Sequence, residues 1–112
     1  MLSLSSTHPF YLYDAPCDMR KSFDGLCGLI HHQMNKVPTS GEVFIFLNKS
    51  RTHIKLLHWE YGGYVLYYKR LEQGTFSRPK QRHQPFSYSD LVLMIEGINV
   101  LKSTHKKRYS LA

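Results

Sequence analysis

Carboxylates are scarce in this chain: eight Asp and Glu stand against fifteen Lys and Arg in 112 residues, a formal charge of +7 at pH 7. Metal-dependent cleavage of nucleic acid needs several acids gathered on divalent ions. The acids here are Asp14, Asp18, Asp24, Glu42, Glu60, Glu72, Asp90 and Glu96, and their positions suit local tasks. Asp18 and Asp24 flank a helix start, Asp90 falls in the first turn of another helix, and Glu72 follows Lys69 and Arg70, where ion pairing is natural. A divergent metal-dependent nuclease is therefore the least favoured class, and no catalytic residue is assigned.

Cysteine is equally sparse. Cys17 and Cys27 stand alone, with no Cys-x-x-Cys pair and no disulfide framework, which fits reduced thiols in the cytoplasm. Cys27 lies among apolar helix positions, as a small core residue would. Zinc would have to be held by His31, His32, His53 or His58 with these thiols. Adjacent His31 and His32 diverge by about 100° on a helix, and His53 and His58 fall on opposite strand faces, so neither a metal nor any other cofactor is expected. No apolar run approaches the ~20 residues that span a bilayer, and Met1–Phe10 lacks the basic and long apolar regions of a secretion signal. A cytoplasmic protein with no membrane partner is the expectation.

What is present suits one folded unit: 42% hydrophobic and 21% charged residues lie near globular averages. Residues 1–101 are expected to form a single α+β domain, and residues 102–112, carrying Lys102, His105, Lys106, Lys107 and Arg108, a basic flexible tail. Phe10–Tyr13 reads as a strand, ended by Asp14-Ala15-Pro16. From Asp18 to Met34 the positions of Met19, Phe23, Leu26, Leu29, Ile30 and Met34 trace one stripe of an amphipathic helix, with Ser22 as N-cap. Gly25 and Gly28 weaken that helix and mark close packing against another element. Glu42–Leu47 is apolar almost throughout, as a strand covered on both faces would be.

His53–Tyr61 and Tyr64–Glu72 read as a hairpin closed by Gly62-Gly63. That loop pairs Tyr61 with Tyr64, Trp59 with Leu66, Leu57 with Tyr68 and Lys55 with Arg70, and turns this mostly apolar face toward the helix. Residues 74–85 form an extended loop with Arg78, Lys80, Arg82 and His83. A second helix is predicted from Ser89 to Glu96, capped by Ser87 or Ser89, burying Leu91, Val92, Met94 and Ile95 and stopping at Gly97. The fold class is α+β: a mostly antiparallel sheet of about four strands packed by two helices, in the order β-α-β-β-β-α.

Three stretches carry a family resemblance: Asp18-Met19-Arg20-Lys21-Ser22-Phe23-Asp24-Gly25-Leu26, Ile54-Lys55-Leu56-Leu57-His58-Trp59, and Tyr68-Lys69-Arg70-Leu71-Glu72-Gln73-Gly74-Thr75-Phe76. In order and spacing they resemble the TnpB accessory proteins of the IS-sixty-six group of bacterial insertion sequences, which are unrelated to the RNA-guided nuclease of the same name. Phe44–Lys49 is similar to the strand that leads into a basic turn in that family. The resemblance implies a protein encoded beside a separate, larger transposase and assisting movement of the element.

A basic chain attracts polyanions, because neutralising phosphates releases condensed counterions. The candidate nucleic-acid-binding residues are Arg20, Lys21, Lys49, Arg51, Lys55, Lys69, Arg70, Arg78, Lys80 and Arg82. Lys55 and Arg70, as directly opposed like charges, call for an anion between them, and with Arg20 and Lys21 they either contact phosphate or pair with Asp18, Asp24 or Glu72. The loop around Arg78, beside Phe76, Phe86 and Tyr88, suits phosphate contact with base stacking, or else is a solvated loop whose aromatics enter the core. The leading function is a noncatalytic DNA-transposition accessory that binds DNA, at element ends or nonspecifically, and the element's transposase. The alternative is a module that binds the transposase without touching DNA.

Overall fold

Six elements follow one another in the computed structural model, which describes residues 8–78 and 84–96. They are β1 (Phe10–Leu12), α1 (Phe23–His32), β2 (Val43–Leu47), β3 (His53–Glu60), β4 (Gly63–Arg70) and α2 (Tyr88–Glu96), in the expected order. The sheet runs β1-β2-β3-β4. β1 pairs with β2 in parallel, because the chain crosses over through α1 before returning. The β2–β3 and β3–β4 pairs are antiparallel.

The uninterrupted apolar run of β2 is explained by a helix on each side of the sheet. Leu26 and Ile30 of α1 pack with Phe44, Phe46, Leu57 and Cys17 on one face. On the other, Val43, Ile45, Leu47, Ile54 and Leu56 meet Leu91 and Met94 of α2 together with Phe76 and Phe86. Each such side chain fully removed from water contributes about 1.5–3 kcal/mol. These two cores hold the sheet's ends, and the loops they carry, in place.

α1 begins at Phe23, later than the apolar stripe suggested. Asp18 Oδ1 accepts the backbone N–H of Arg20 at 2.9 Å and its carbonyl accepts that of Lys21 at 3.1 Å, so residues 18–21 form a side-chain-stabilised turn. Ser22 occupies the N-cap, but its hydroxyl makes no capping hydrogen bond. α2 is closed more firmly. Ser87 Oγ accepts Asp90 N–H (3.1 Å) and Asp90 Oδ2 accepts Ser87 N–H (3.2 Å), a reciprocal capping box one residue ahead of the predicted start. The expected stop at Gly97 and the basic tail lie outside the described residues.

The close packing expected of both helix glycines holds only for Gly25, where an added Cβ would sit 3.1 Å from the Lys21 side chain. Nothing lies within 4 Å of a Cβ at Gly28. Gly28→Ala is therefore expected to stabilise the protein by about 1 kcal/mol through helix propensity. A urea or thermal melt with an unchanged or lowered midpoint would contradict this.

The hairpin turn consists of Tyr61 and Gly62, both with positive φ (52° and 80°), and Glu60 pairs with Gly63. Each β3 residue thus meets a β4 residue two positions earlier than a Gly62-Gly63 loop would give: Trp59 faces Tyr64, Leu57 faces Leu66, Lys55 faces Tyr68 and His53 faces Arg70. A shift by two leaves every side chain on its original face. The apolar face still looks toward α1, but the Lys55–Arg70 pair does not form. Tyr61 is 99% exposed and holds a left-handed conformation that asparagine tolerates far better. Tyr61→Asn should raise stability by about 0.5–1 kcal/mol, read as an upward shift of the melting midpoint.

The free edge of β1 is covered. Phe86 N–H donates to the Phe10 carbonyl (2.7 Å), and the Gln84 side-chain amide both accepts from Leu12 N–H and donates to the Leu12 carbonyl. One glutamine thereby stands in for a strand neighbour.

Candidate nucleic-acid interface

Asn48 organises the turn between β2 and β3. Its Oδ1 accepts the N–H groups of Thr52 (2.9 Å) and His53 (3.0 Å), while its Nδ2 reaches Ser50 Oγ, Thr52 Oγ1 and His53 Nδ1. The turn presents Lys49 and Arg51, the latter at φ 57°. The Arg51 carbonyl accepts Phe76 N–H and the Thr52 carbonyl accepts Leu71 N–H, each at 2.8 Å. Phe76 is wholly buried, so this anchored strap fixes where the chain emerges two residues later at Arg78. From the other side, Cys17 N–H donates to the Leu47 carbonyl at 2.8 Å and brings Pro16 alongside.

Lys49, Arg51 and Arg78 consequently line one open cleft of about 240 Å³ together with Pro16, Leu47 and Asn48. Among the described residues no carboxylate lines it. Among the described residues none of the three cations is in an ion pair. The sequence marked all three separately; the backbone bonds that converge them have no signature in residue type.

The other candidates divide by their surroundings. Arg20 is bound to Asp18 (Nη2–Oδ2 2.7 Å), and Arg70 to Glu72 (Nε–Oε2 2.7 Å), the pairing that had been the alternative to phosphate contact. Hydrogen bonds from the Arg20 side chain hold the Asp18 carboxyl at about 2, well below its ordinary value. Lys21 is exposed on the same loop, and Lys69 is half-buried on β4 opposite Ile54. Lys55 is not at the surface: it is 4% exposed, and its Nζ donates to the carbonyls of Met19 (2.8 Å) and Lys21 (2.7 Å). Its opposite neighbour is Tyr68, whose ring centroid lies 4.5 Å from Nζ. Lys80 and Arg82 lie outside the described residues, as does His83.

Phe76 and Phe86 are buried core residues and cannot stack on a base, whereas Tyr88 is partly exposed. Among the described residues no three His, Cys, Asp or Glu side chains group as metal ligands. His58 is buried beside Glu60 (Nε2–Oε2 3.3 Å) and under the His8 ring. Cys17 is buried as well, and burial raises its thiol pKa, which makes it a poor nucleophile. Among the described residues no helix is long and apolar enough to cross a membrane.

Against known proteins, the model of a family described as "IS66 Orf2 like protein" matches residues 8–105. An uncharacterized protein of Sinorhizobium fredii (strain NBRC 101917 / NGR234), y4jC, is 28% identical over 86 residues, covering 75% of this chain and 74% of the relative. No solved structure matches.

Proposed function

The chain belongs to the IS66 Orf2-like family of transposition-associated accessory proteins, and from that premise we propose that it binds DNA through the cleft between the β2–β3 turn and the strap that follows β4, without a catalytic centre of its own. The observation that carries this reading is the convergence of Lys49, Arg51 and Arg78 on one open cleft that no carboxylate lines among the described residues. Uncompensated cations held at fixed positions repel one another, and a phosphodiester offers the counter-charge together with hydrogen-bond acceptors. Five of the eight acids support a noncatalytic role: Asp18, Glu42 and Glu72 are bound by Arg20, Lys36 and Arg70, Glu60 lies against His58, and Asp90 caps α2.

The test is a set of fluorescence-anisotropy titrations of element-end and unrelated duplex DNA over a range of salt concentrations. Three phosphates neutralised should give a slope of log K against log salt of about −3. Similar slopes with a constant offset between the two DNAs would show that the cleft positions the backbone while other groups read sequence. Affinity that ignores salt would remove DNA from the reading.

One observation favours contact with the transposase as well. The hairpin tip presents Tyr61 fully to solvent from a strained backbone, close to the half-buried Trp59–Tyr64 ring pair (centroids 4.9 Å apart). Aromatic residues of this kind are frequent anchors of protein interfaces. Tyr61→Asn, which should not harm the fold, is expected to weaken co-purification with the transposase and leave DNA affinity unchanged.

A further inference from the structure

Tyr68 is the exposed aromatic that the cationic end of the sheet surrounds. Half of it is open to solvent (52%), and it projects from β4 on the face that packs against α1, in line with Leu66 and Arg70. Lys55 Nζ lies against the ring, 4.5 Å from its centroid, and is itself tied down by the carbonyls of Met19 and Lys21. The His53 ring flanks it, with centroids 5.9 Å apart and a tilt of 39°, and His53 Nδ1 is held by Asn48 of the Lys49–Arg51 turn. The ring is therefore bracketed by two loops, one bearing Lys21 beside the Asp18-paired Arg20 and the other bearing Lys49 and Arg51.

We propose that Tyr68 is a stacking platform for an unpaired base, and that the ligand of this end of the molecule is single-stranded DNA. The inference rests on the DNA-binding reading above and names the form of DNA. Duplex DNA shows its phosphates to the cations but keeps its base faces stacked inside, so it leaves the Tyr68 ring unused. A single strand can lay one base on the ring while its flanking phosphates reach the cationic loops to either side. The buried Lys55 ammonium supports the ring from within and fixes its attitude, so little side-chain freedom remains to be lost on binding. Exposed tyrosine on an edge strand follows from β-propensity alone, but the exposed Lys21 on one flank and the Lys49–Arg51 turn on the other add the charge complementarity that a nucleotide requires.

The test compares a fluorescein-labelled oligo-dT strand with a hairpin duplex of equal length, in one buffer, for the full-length protein and the variants Tyr68→Phe and Tyr68→Leu. Leucine keeps an apolar cover over Lys55 without a π face, and circular dichroism melts confirm that each variant folds. The wild type and Tyr68→Phe should prefer the single strand, and Tyr68→Leu should lose about tenfold of affinity for it while changing duplex affinity less than about twofold. Equal losses on both forms, or none, would overturn the stacking role and leave the DNA reading standing. A wild type that binds neither form would overturn both.

Discussion

Lys55→Ala is expected to destabilise the fold by about 3 kcal/mol, lowering the thermal midpoint by roughly 10–15 °C. Lys55 is a lysine in the interior, and its ammonium is the donor that satisfies two carbonyls of the β1–α1 loop, Met19 and Lys21. That loop has no regular secondary structure to hold it. Its first part is tied to β2 by the N–H groups of Tyr13 and Cys17, which donate to the Ile45 and Leu47 carbonyls, and its last part, the Asp18 turn, is tied to β3 by this clasp from thirty-odd residues away in sequence. Alanine removes both donors, the stem that fills the space between β3 and the loop, and the cation under Tyr68. Lys55→Met restores the stem without the donors and should recover about a third to a half of the loss, separating packing from hydrogen bonding. Urea titrations of the three proteins decide the matter. Were Lys55 a phosphate ligand instead, alanine would leave the midpoint within about 0.5 kcal/mol of wild type and act on DNA affinity alone.

The difference between the Lys55–Arg70 register expected of a Gly62-Gly63 loop and the observed Lys55–Tyr68 register shows which information the sequence holds. Alternation along His53–Glu60 and Gly63–Arg70 specifies faces, and faces came out correctly because the side-chain period is two. Pairing across the hairpin depends on which two residues make the turn, and Tyr61-Gly62 and Gly62-Gly63 differ by a slip that parity cannot detect. The Gly-Gly loop avoids a left-handed tyrosine, a gain of about 1–2 kcal/mol. Against it, the observed register replaces the opposed Lys55 and Arg70 with Lys55 beside Tyr68, and sets Trp59 against Tyr64 in an edge-to-face contact. Cross-strand pairs contribute about 0.2–1 kcal/mol each, and several of them outweigh one strained residue. The like-charge clash in the simpler register was itself the signal that it was wrong.

Helix α1 teaches a similar lesson. Met19 packs on the same core as Leu26 and Ile30 but does so from a turn, so an apolar stripe can outrun the helix that displays most of it. The cleft was legible only as scattered cations. Lys49 and Arg51 follow a strand and Arg78 precedes a proline, and nothing in those contexts tells that Phe76 N–H reaches the Arg51 carbonyl. Gln84, which seals the edge of β1 with a side-chain amide, carries no sequence signal of that role.

Replacing Lys49, Arg51 and Arg78 together by glutamine should have the opposite signature to Lys55→Ala: stability within about 1 kcal/mol of wild type, since all three side chains line an open cleft, and a large effect on DNA. Each phosphate neutralised contributes about 0.9 to the salt slope, so the slope should become shallower by nearly 3 and affinity near physiological salt should fall on the order of a hundredfold. The control is a change of equal chemistry where charge is already balanced. In Arg70→Gln with Glu72→Gln, a pair bound at 2.7 Å is removed without altering net charge, and affinity should move by less than about threefold. If the double variant weakened binding as much as the triple one, the phosphates would be following Arg70 and the outer strand, and the cleft would lose its role. A loss on the triple variant with an unchanged salt slope would mean that glutamine had disturbed the Asn48 turn; a slope that moves with affinity, while the melting midpoint stays put, assigns the three charges to the DNA backbone.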